Sequence, residues 1–360
     1  MTRLTAITPY GPVGASARVR VYDWTSRLGL HPREVPYIGA SNASPRTLLT
    51  HAGAVLAAER RLRALDVQDD VLLLHREASP LSRGALEQLL LRRAKRSLYD
   101  IDDALQWETG RGLRNLAPKS VKADLCMRNA DVVIAGSDVL ADYAGRLARD
   151  VVMVPSCVDV DDYVAKPSYD LGDPPRIGWV GSPSAEWHLR LLAEPLLALH
   201  RHTGARLVVV SAGDANLGPL DLMVDRVAWT ATSVAAAMAG FDVAIAPLVS
   251  GLYARGKCSY KILQYGASGL PTIGSPVGAN RTVLTRLGAI SASSSQEWTD
   301  GLGHLLSAST VERAALGARA RQQTLRGYSF GAWEPVMRAL LDPTVEGAPP
   351  APPEWSAPRA

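Results

Sequence analysis

The stretch from Gly251 to Gly278 holds the densest set of groups able to meet a charged ligand. Gly256 and Lys257 stand just before a helical pattern, where free backbone N–H groups and an ammonium could hold a diphosphate. Arg255, Cys258 and Lys261 lie beside them, and Gln264 falls about two turns further along. The helix is expected to end at Gly269, with Pro271 opening the next strand. A second candidate lies near the start, in Thr8-Pro-Tyr-Gly11-Pro-Val-Gly14-Ala-Ser16, which joins a strand to a helix beginning near Arg18. Gly14 lets backbone approach a ligand closely, and Arg18 and Arg20 suit phosphate or carboxylate. The same residues also read as a plain turn with surface arginines, because the third glycine of a dinucleotide fingerprint is missing. His75 follows the apolar run Val71–Leu74, at a strand end that borders the ligand crevice in an open parallel sheet. An imidazole there suits hydrogen bonding to a reacting hydroxyl or a developing charge. Asp100-Ile-Asp102-Asp103 closes another strand, where clustered carboxylates either hold Mg²⁺ or Mn²⁺ or cap a helix.

These groups need elements that bring them together. Leu4–Thr8, Val71–Leu74, Leu98–Ile101, Val132–Ala135 and Val151–Val154 read as buried strands of a parallel sheet. Helical patterns over Thr47–Leu65, Ser82–Lys95 and Val139–Arg146 separate them. After an acidic stretch ending in Asp173-Pro-Pro175, strands resume at Arg176–Val180, Arg206–Ser211, Arg226–Trp229, Val243–Pro247 and Pro271–Ser275, with one helix expected over Ala185–Thr203. The series predicts an α/β protein of two Rossmann-like, doubly wound domains facing a cleft. Residues 1–160 form the first, 161–175 the linker and 176–341 the second, whose last helix could return to the first. The Pro/Ala-rich residues 342–360 are expected to be a disordered tail.

At 360 residues, 47% hydrophobic and 21% charged, the chain is globular and long enough for two cores. Three scattered cysteines exclude a disulfide framework or a zinc site. The opening residues carry no apolar run of signal-peptide length, and no segment approaches the roughly 20 apolar residues of a membrane span. A cytoplasmic location is expected. The net charge of +4 is interleaved rather than clustered, which argues against a nucleic-acid partner. The run Arg92-Arg-Ala-Lys-Arg96 is a solvated helix face, or a patch for a phosphorylated ligand or peripheral membrane contact.

Three segments together resemble a known family: Gly256–Gly278, Ile177-Gly-Trp-Val-Gly181-Ser-Pro183, and Asn129–Ser137 through Val154–Asp159. Over about residues 1 to 335 the chain is similar to the retaining, nucleotide-sugar-dependent glycosyltransferases of the two-Rossmann (GT-B) fold, family 4-like. The resemblance implies a sugar donor held by the second domain and a hydroxyl-bearing acceptor, such as a soluble secondary metabolite, held by the first. It implies contacts to the donor from Gly14, Gly181, Ser182, Gly256, Lys257, Cys258, Lys261 and Gln264, and to its base from Trp229 and Thr230, although Trp229 could be plain core. It implies His75 as the catalytic residue, with Arg18, Arg20, Asp102 and Asp103 toward the acceptor or a phosphate. Acceptor loops would be Tyr10–Arg20, Ile38–Pro45 and Trp107–Lys119. The departing phosphate would help deprotonate the acceptor, with neither a cofactor nor a divalent metal. Asp100-Ile-Asp102 also resembles the metal–diphosphate motif of single-domain glycosyltransferases. Gly256 and Gln264 stand where the family commonly has two glutamates, and the usual Arg/Lys pair after Gly181 is absent. The chain thus looks like a divergent branch. A sugar-nucleotide epimerase or a non-catalytic nucleotide-sugar-binding partner fits the same fold.

Overall fold

A computed structural model of the chain describes residues 3–38, 45–108, 118–345 and 347–353. It contains two compact units. The first comprises Met1–Ser156, Arg255–Cys258 and Trp333–Pro352; the second comprises Cys157–Ala254, Ser259–Ala332 and Pro353–Ala360.

The first unit is built on a six-stranded sheet of β1 (Leu4–Tyr10), β2 (Arg33–Ile38), β3 (Val71–His75), β4 (Arg96–Ile101), β5 (Val132–Ala135) and β6 (Val151–Met153). The order is β2-β1-β3-β4-β5-β6, and every pairing is parallel. Helices on both faces explain why β3 and β5 are buried along their whole length and read as unbroken apolar runs. The edge strand β2 carries Arg33, Glu34 and Pro36, a composition an edge tolerates because one side of its backbone has no ladder to complete.

The second unit repeats the plan with β7 (Arg176–Val180), β8 (Arg206–Ser211), β9 (Val224–Ala228), β10 (Val243–Ala246), β11 (Thr272–Gly274) and β12 (Ile290–Ser291). Their order is β12-β11-β10-β7-β8-β9, again all parallel. Alternation along each strand feeds two cores. Ile177, Trp179, Leu207, Val209, Val243 and Ile245 pack on one face, and Val180, Val208, Val210, Ala244 and Ala246 pack on the other.

The expected helix Ala185–Thr203 divides into a 3₁₀ stretch, Pro183–Leu192, and an α-helix, Ala193–Thr203. Pro195 supplies the reason: it has no N–H for an i→i−4 bond and its ring crowds the carbonyl one turn earlier. The stretch expected as linker packs along the second unit. Lys166 Nζ donates to the Phe241 carbonyl at 2.6 Å, and Tyr169 Oη donates to the Gly269 carbonyl at 2.8 Å. Of the expected tail, residues 342–345 and 347–353 form neither helix nor strand, and 346 and 354–360 lie outside the described residues. Among the described residues no helix is long and apolar enough to cross a membrane.

Candidate functional site

In the first unit the parallel register sets His75 beside Asp100, at the carboxyl ends of β3 and β4. Asp102 follows Asp100 by two residues, just beyond the strand. The turn after β1 is closed by the Gly14 N–H donating to the Gly11 carbonyl at 2.9 Å. A β-carbon on Gly14 would lie 2.8 Å from that of Tyr10, so the close turn requires glycine there. It leads through Ala15–Ala17 into a π-helical turn, Arg18–Tyr22, an irregularity found often at functional sites.

These elements bring Ser16, Arg20, His75, Asp100 and Asp102 into one network. Ser16 Oγ donates to Asp102 Oδ2 at 2.5 Å and lies 2.8 Å from His75 Nε2. His75 Nδ1 lies 2.6 Å from Asp100 Oδ2. The Asp100 carboxylate accepts from Nδ1. Arg20 approaches Asp100 Oδ1 through Nη2 at 2.5 Å, and its Nη1 donates to the carbonyls of Val154 and Pro155. Burial alone would raise the Asp100 carboxyl. The Arg20 guanidinium and the hydrogen bond from His75 override it and hold the group below the usual carboxylate range. Burial likewise opposes the charge of Asp102, and Arg76, His75 and Ser16 outweigh it.

Arg76 adopts the left-handed φ of 60° without being glycine. Such strain persists where the surroundings over-determine it. Here Arg76 binds Asp102 Oδ1 through Nε at 2.6 Å and Asp103 Oδ2 through Nη2 at 2.5 Å, while its carbonyl accepts from Tyr99 Oη. Lys257 Nζ stands 3.8 Å from Asp103, and Cys258 Sγ donates to the Asp102 carbonyl at 3.0 Å. Burial pushes the Cys258 thiol well above its ordinary range, with Asp102 adding to the effect. A β-carbon on Gly256 would fall 2.4 Å from that of Ala104. Gly256, Lys257 and Cys258, expected with the donor set of the second domain, thus belong to the first unit.

Two expectations need correction. Arg20 is not an open fork for phosphate: it is 1% exposed and saturated by Asp100 and two carbonyls. His75 does end its strand, but it is wholly buried with both nitrogens engaged, so it reaches a ligand only through Ser16 and the aspartates. Arg18 is half-buried on the π-turn. Of the acceptor loops, residues 39–44 and 109–117 lie outside the described residues.

In the second unit Gly181 and Ser182 follow β7, and Lys261 lies against Gly181. A side chain on Gly181 would strike the Trp179 ring at 2.2 Å and Lys261 Cε at 2.9 Å. The Lys261 ammonium lies 5.3 Å from the centroid of that ring. Ser182 Oγ lies 3.1 Å from Ser184 Oγ. The helix Tyr260–Ala267 starts from Ser259, whose φ is 57° and whose hydroxyl donates to Asn280 Oδ1 at 2.7 Å. Gln264 Nε2 donates to Tyr163 Oη at 3.0 Å. Trp229 is 36% exposed, so it is not plain core, and Thr230 sits in a turn bonded to Ser233.

Several positioning residues had no signal in the sequence. Buried Glu186 accepts from Arg226 Nη1 and from the Ala215 N–H, each at 3.1 Å, and so fixes the loop after β8. Buried Lys122 donates to Glu77 Oε2 at 2.7 Å and to the Ser79 carbonyl at 2.5 Å, and so fixes the loop after β3. Ser16 and Arg76 adjoin Gly14 and His75, so inspecting the flanks of those candidates could have found them.

Two Rossmann-like α/β units with parallel six-stranded sheets define the GT-B fold, the architecture that solved glycosyltransferases share with this chain. The sequence adds to this: residues 174–308 match the family described as Glycosyl transferases group 1. No curated protein matches the sequence. Among solved structures, Anabaena HepE in complex with UDP is 15% identical, with a TM-score of 0.65 over 91% of this chain and 96% of that one. WaaG, a glycosyltransferase involved in lipopolysaccharide biosynthesis, is 12% identical, with a TM-score of 0.63 over 95% of this chain and 100% of that one. TarM is 12% identical, with a TM-score of 0.58 over 80% of this chain, which spans 58% of TarM's length.

Proposed function

We propose that this protein is a retaining glycosyltransferase that moves a sugar from a nucleoside-diphosphate donor to a hydroxyl acceptor. The observation that carries the reading is the group 1 glycosyl transferase match over residues 174–308, set on a GT-B fold. In this reading the second unit holds the donor through Gly181, Ser182 and Lys261, with Trp229 and Thr230 against the base and Gln264 toward the ribose. The first unit holds the acceptor. HepE was solved with UDP, which makes UDP-sugars the first donors to try.

Transfer requires charge stabilisation of the departing diphosphate, and that phosphate takes the acceptor's proton. Cations and backbone N–H groups preorganised around the leaving group supply the stabilisation. The reading needs no divalent metal, because Asp100, Asp102 and Asp103 are already matched to Arg20, Arg76 and Lys257. His75 acts as a positioning residue, holding Ser16 and Asp100 in place.

The test is a panel of UDP-, GDP-, ADP- and TDP-sugars, followed by calorimetric binding and NMR detection of donor breakdown or transfer, with and without EDTA. One nucleotide class is expected to bind, with turnover that survives EDTA. Lys261→Ala should lose a charge-assisted contact and weaken nucleotide binding by about 1.5–3 kcal/mol. Unchanged affinity in that variant would remove Lys261 from the donor site, and binding of no nucleotide would remove the function itself.

A further inference from the structure

In the first unit the helices Ala52–Arg63, Ala85–Arg93 and Lys119–Asn129 connect β2 to β3, β3 to β4 and β4 to β5. All these connections step the same way across the sheet, so right-handed crossovers put the helices on one face, running in one direction. Ser79, in the loop after β3, touches each of them. Its hydroxyl donates to Glu59, its N–H donates to Glu87 Oε1 at 3.1 Å, and its carbonyl accepts from Lys122 Nζ at 2.5 Å.

The carboxylates of these helices are therefore turned inward. Glu59 and Glu87 are buried, and half-buried Asp124 accepts from Tyr143 Oη at 2.9 Å. The outward charges are all of one sign: Arg60, Arg61, Arg63, Arg92, Arg93 and Arg128 are exposed, and no carboxylate on these helices is. Among the described residues, Arg63 alone of this set has a carboxylate partner, Glu59 at 2.9 Å. The helix dipole favours a cation in each last turn, but it has no use for the apolar side chains upstream. Leu49 is 79% exposed, Leu56 53%, Leu89 39% and Val121 50%. An apolar band near the helix starts thus lies beside a basic band near the helix ends. The next helix, Asp138–Ala144, bounds the patch with exposed Asp138 and Asp142.

The pairing of the two bands selects the occupant. A second copy of the chain seated symmetrically would set arginine against arginine. A nucleic-acid backbone would match the charge and leave the leucines idle. An anionic bilayer uses both, because its headgroups meet the arginines while its acyl boundary takes the leucines. We infer that this face of the first unit docks on an anionic lipid membrane as a peripheral contact. The inference goes beyond the glycosyltransferase reading and does not rest on it.

The test is sedimentation of the full chain with vesicles of phosphatidylcholine containing about 30% phosphatidylglycerol, in about 0.1 M salt. Wild type should pellet with these vesicles and stay in solution with pure phosphatidylcholine. Arg60→Gln, Arg93→Gln and Arg128→Gln together should weaken vesicle binding about tenfold or more, since each base near an anionic surface adds its own attraction. Lysine at the same positions should keep the binding, which separates lost charge from lost fold. Leu49→Ser with Leu56→Ser should also weaken vesicle binding about tenfold, yet leave binding to a duplex oligonucleotide unchanged. A wild type that ignores anionic vesicles overturns the inference. So does equal loss in the glutamine and lysine variants, which would make the arginines structural. Vesicle binding that survives the serine changes at wild-type strength overturns it too, and marks the face as a general polyanion surface.

Discussion

Arg20 and Asp100 form an ion pair shut away from water, and what it contributes to the fold depends on both members being present. Removing one partner of a buried pair strands the other charge, at a cost of about 3–5 kcal/mol. Arg20→Met should therefore lower stability by that order in urea unfolding at pH 7, and Asp100→Asn in the same chain should recover part of the loss. The pH dependence follows from direction alone. Asp100 and Asp102 are held below the ordinary carboxylate range, so their unfolded forms bind protons first as pH falls. Their contribution is complete above the unfolded value near ~3.9 and drains away as pH drops toward the folded values. Melting temperature should stay level down to about pH 5 and fall below about pH 4. The Arg20→Met deficit should shrink over the same acid window, because protonation relieves the stranded Asp100. A deficit that is constant with pH would show that packing, not charge, is what the arginine supplies. The sequence showed that His75 and Asp100 stand at strand ends, since an apolar run followed by a polar residue marks such an end. It could not show their pairing, because that depends on the register of β3 against β4. Nor could it show that Arg20 turns inward, which the π-turn decides.

Strands flanked by helices on both faces were legible because their residues have no polar alternative: Val71–His75, Val132–Ala135 and Val243–Ala246 are buried throughout. Strand β2 was not legible, since an edge position admits the charges and the proline that disguise it. The same logic picks out a glycine inside β7. Gly178 has a Phe241 ring where its β-carbon would be, 1.9 Å from the nearest ring atom. The strand gives up side-chain packing at this point so that the ring can lie against its backbone. Gly178→Ala should overpack the second unit and destabilise it by about 1–3 kcal/mol. Its signature would be a lower unfolding midpoint with no change in the exchange protection of β1 and β3. Equal loss in both units, or none in either, would contradict the placement of Phe241 against β7.

The chain leaves its first unit at Ser156 and comes back to it twice, with Arg255–Cys258 and again with Trp333–Pro352. The second return matters most for stability. The helix Phe330–Leu341 places Trp333, Val336, Met337, Leu340 and Leu341 in full burial. Arg338 Nη1 donates to the Leu28 carbonyl, and Arg96 Nη1 donates to the Ala339 carbonyl, tying this helix to the amino-terminal sheet. Burying a large apolar side chain is worth about 1.5–3 kcal/mol, so five of them contribute on the order of 10 kcal/mol. That rivals the roughly 5–15 kcal/mol that holds a whole domain folded. Deleting residues 333–360 should therefore unfold the first unit, although the cut lies far from it in sequence, and leave the second standing. Hydrogen exchange resolved by peptide would show Leu4–Tyr10 and Val71–His75 losing protection while Arg206–Ser211 and Val243–Ala246 keep theirs. If the first unit stays protected at wild-type levels, the C-terminal helix is a surface ornament, and the core of that unit closes without it.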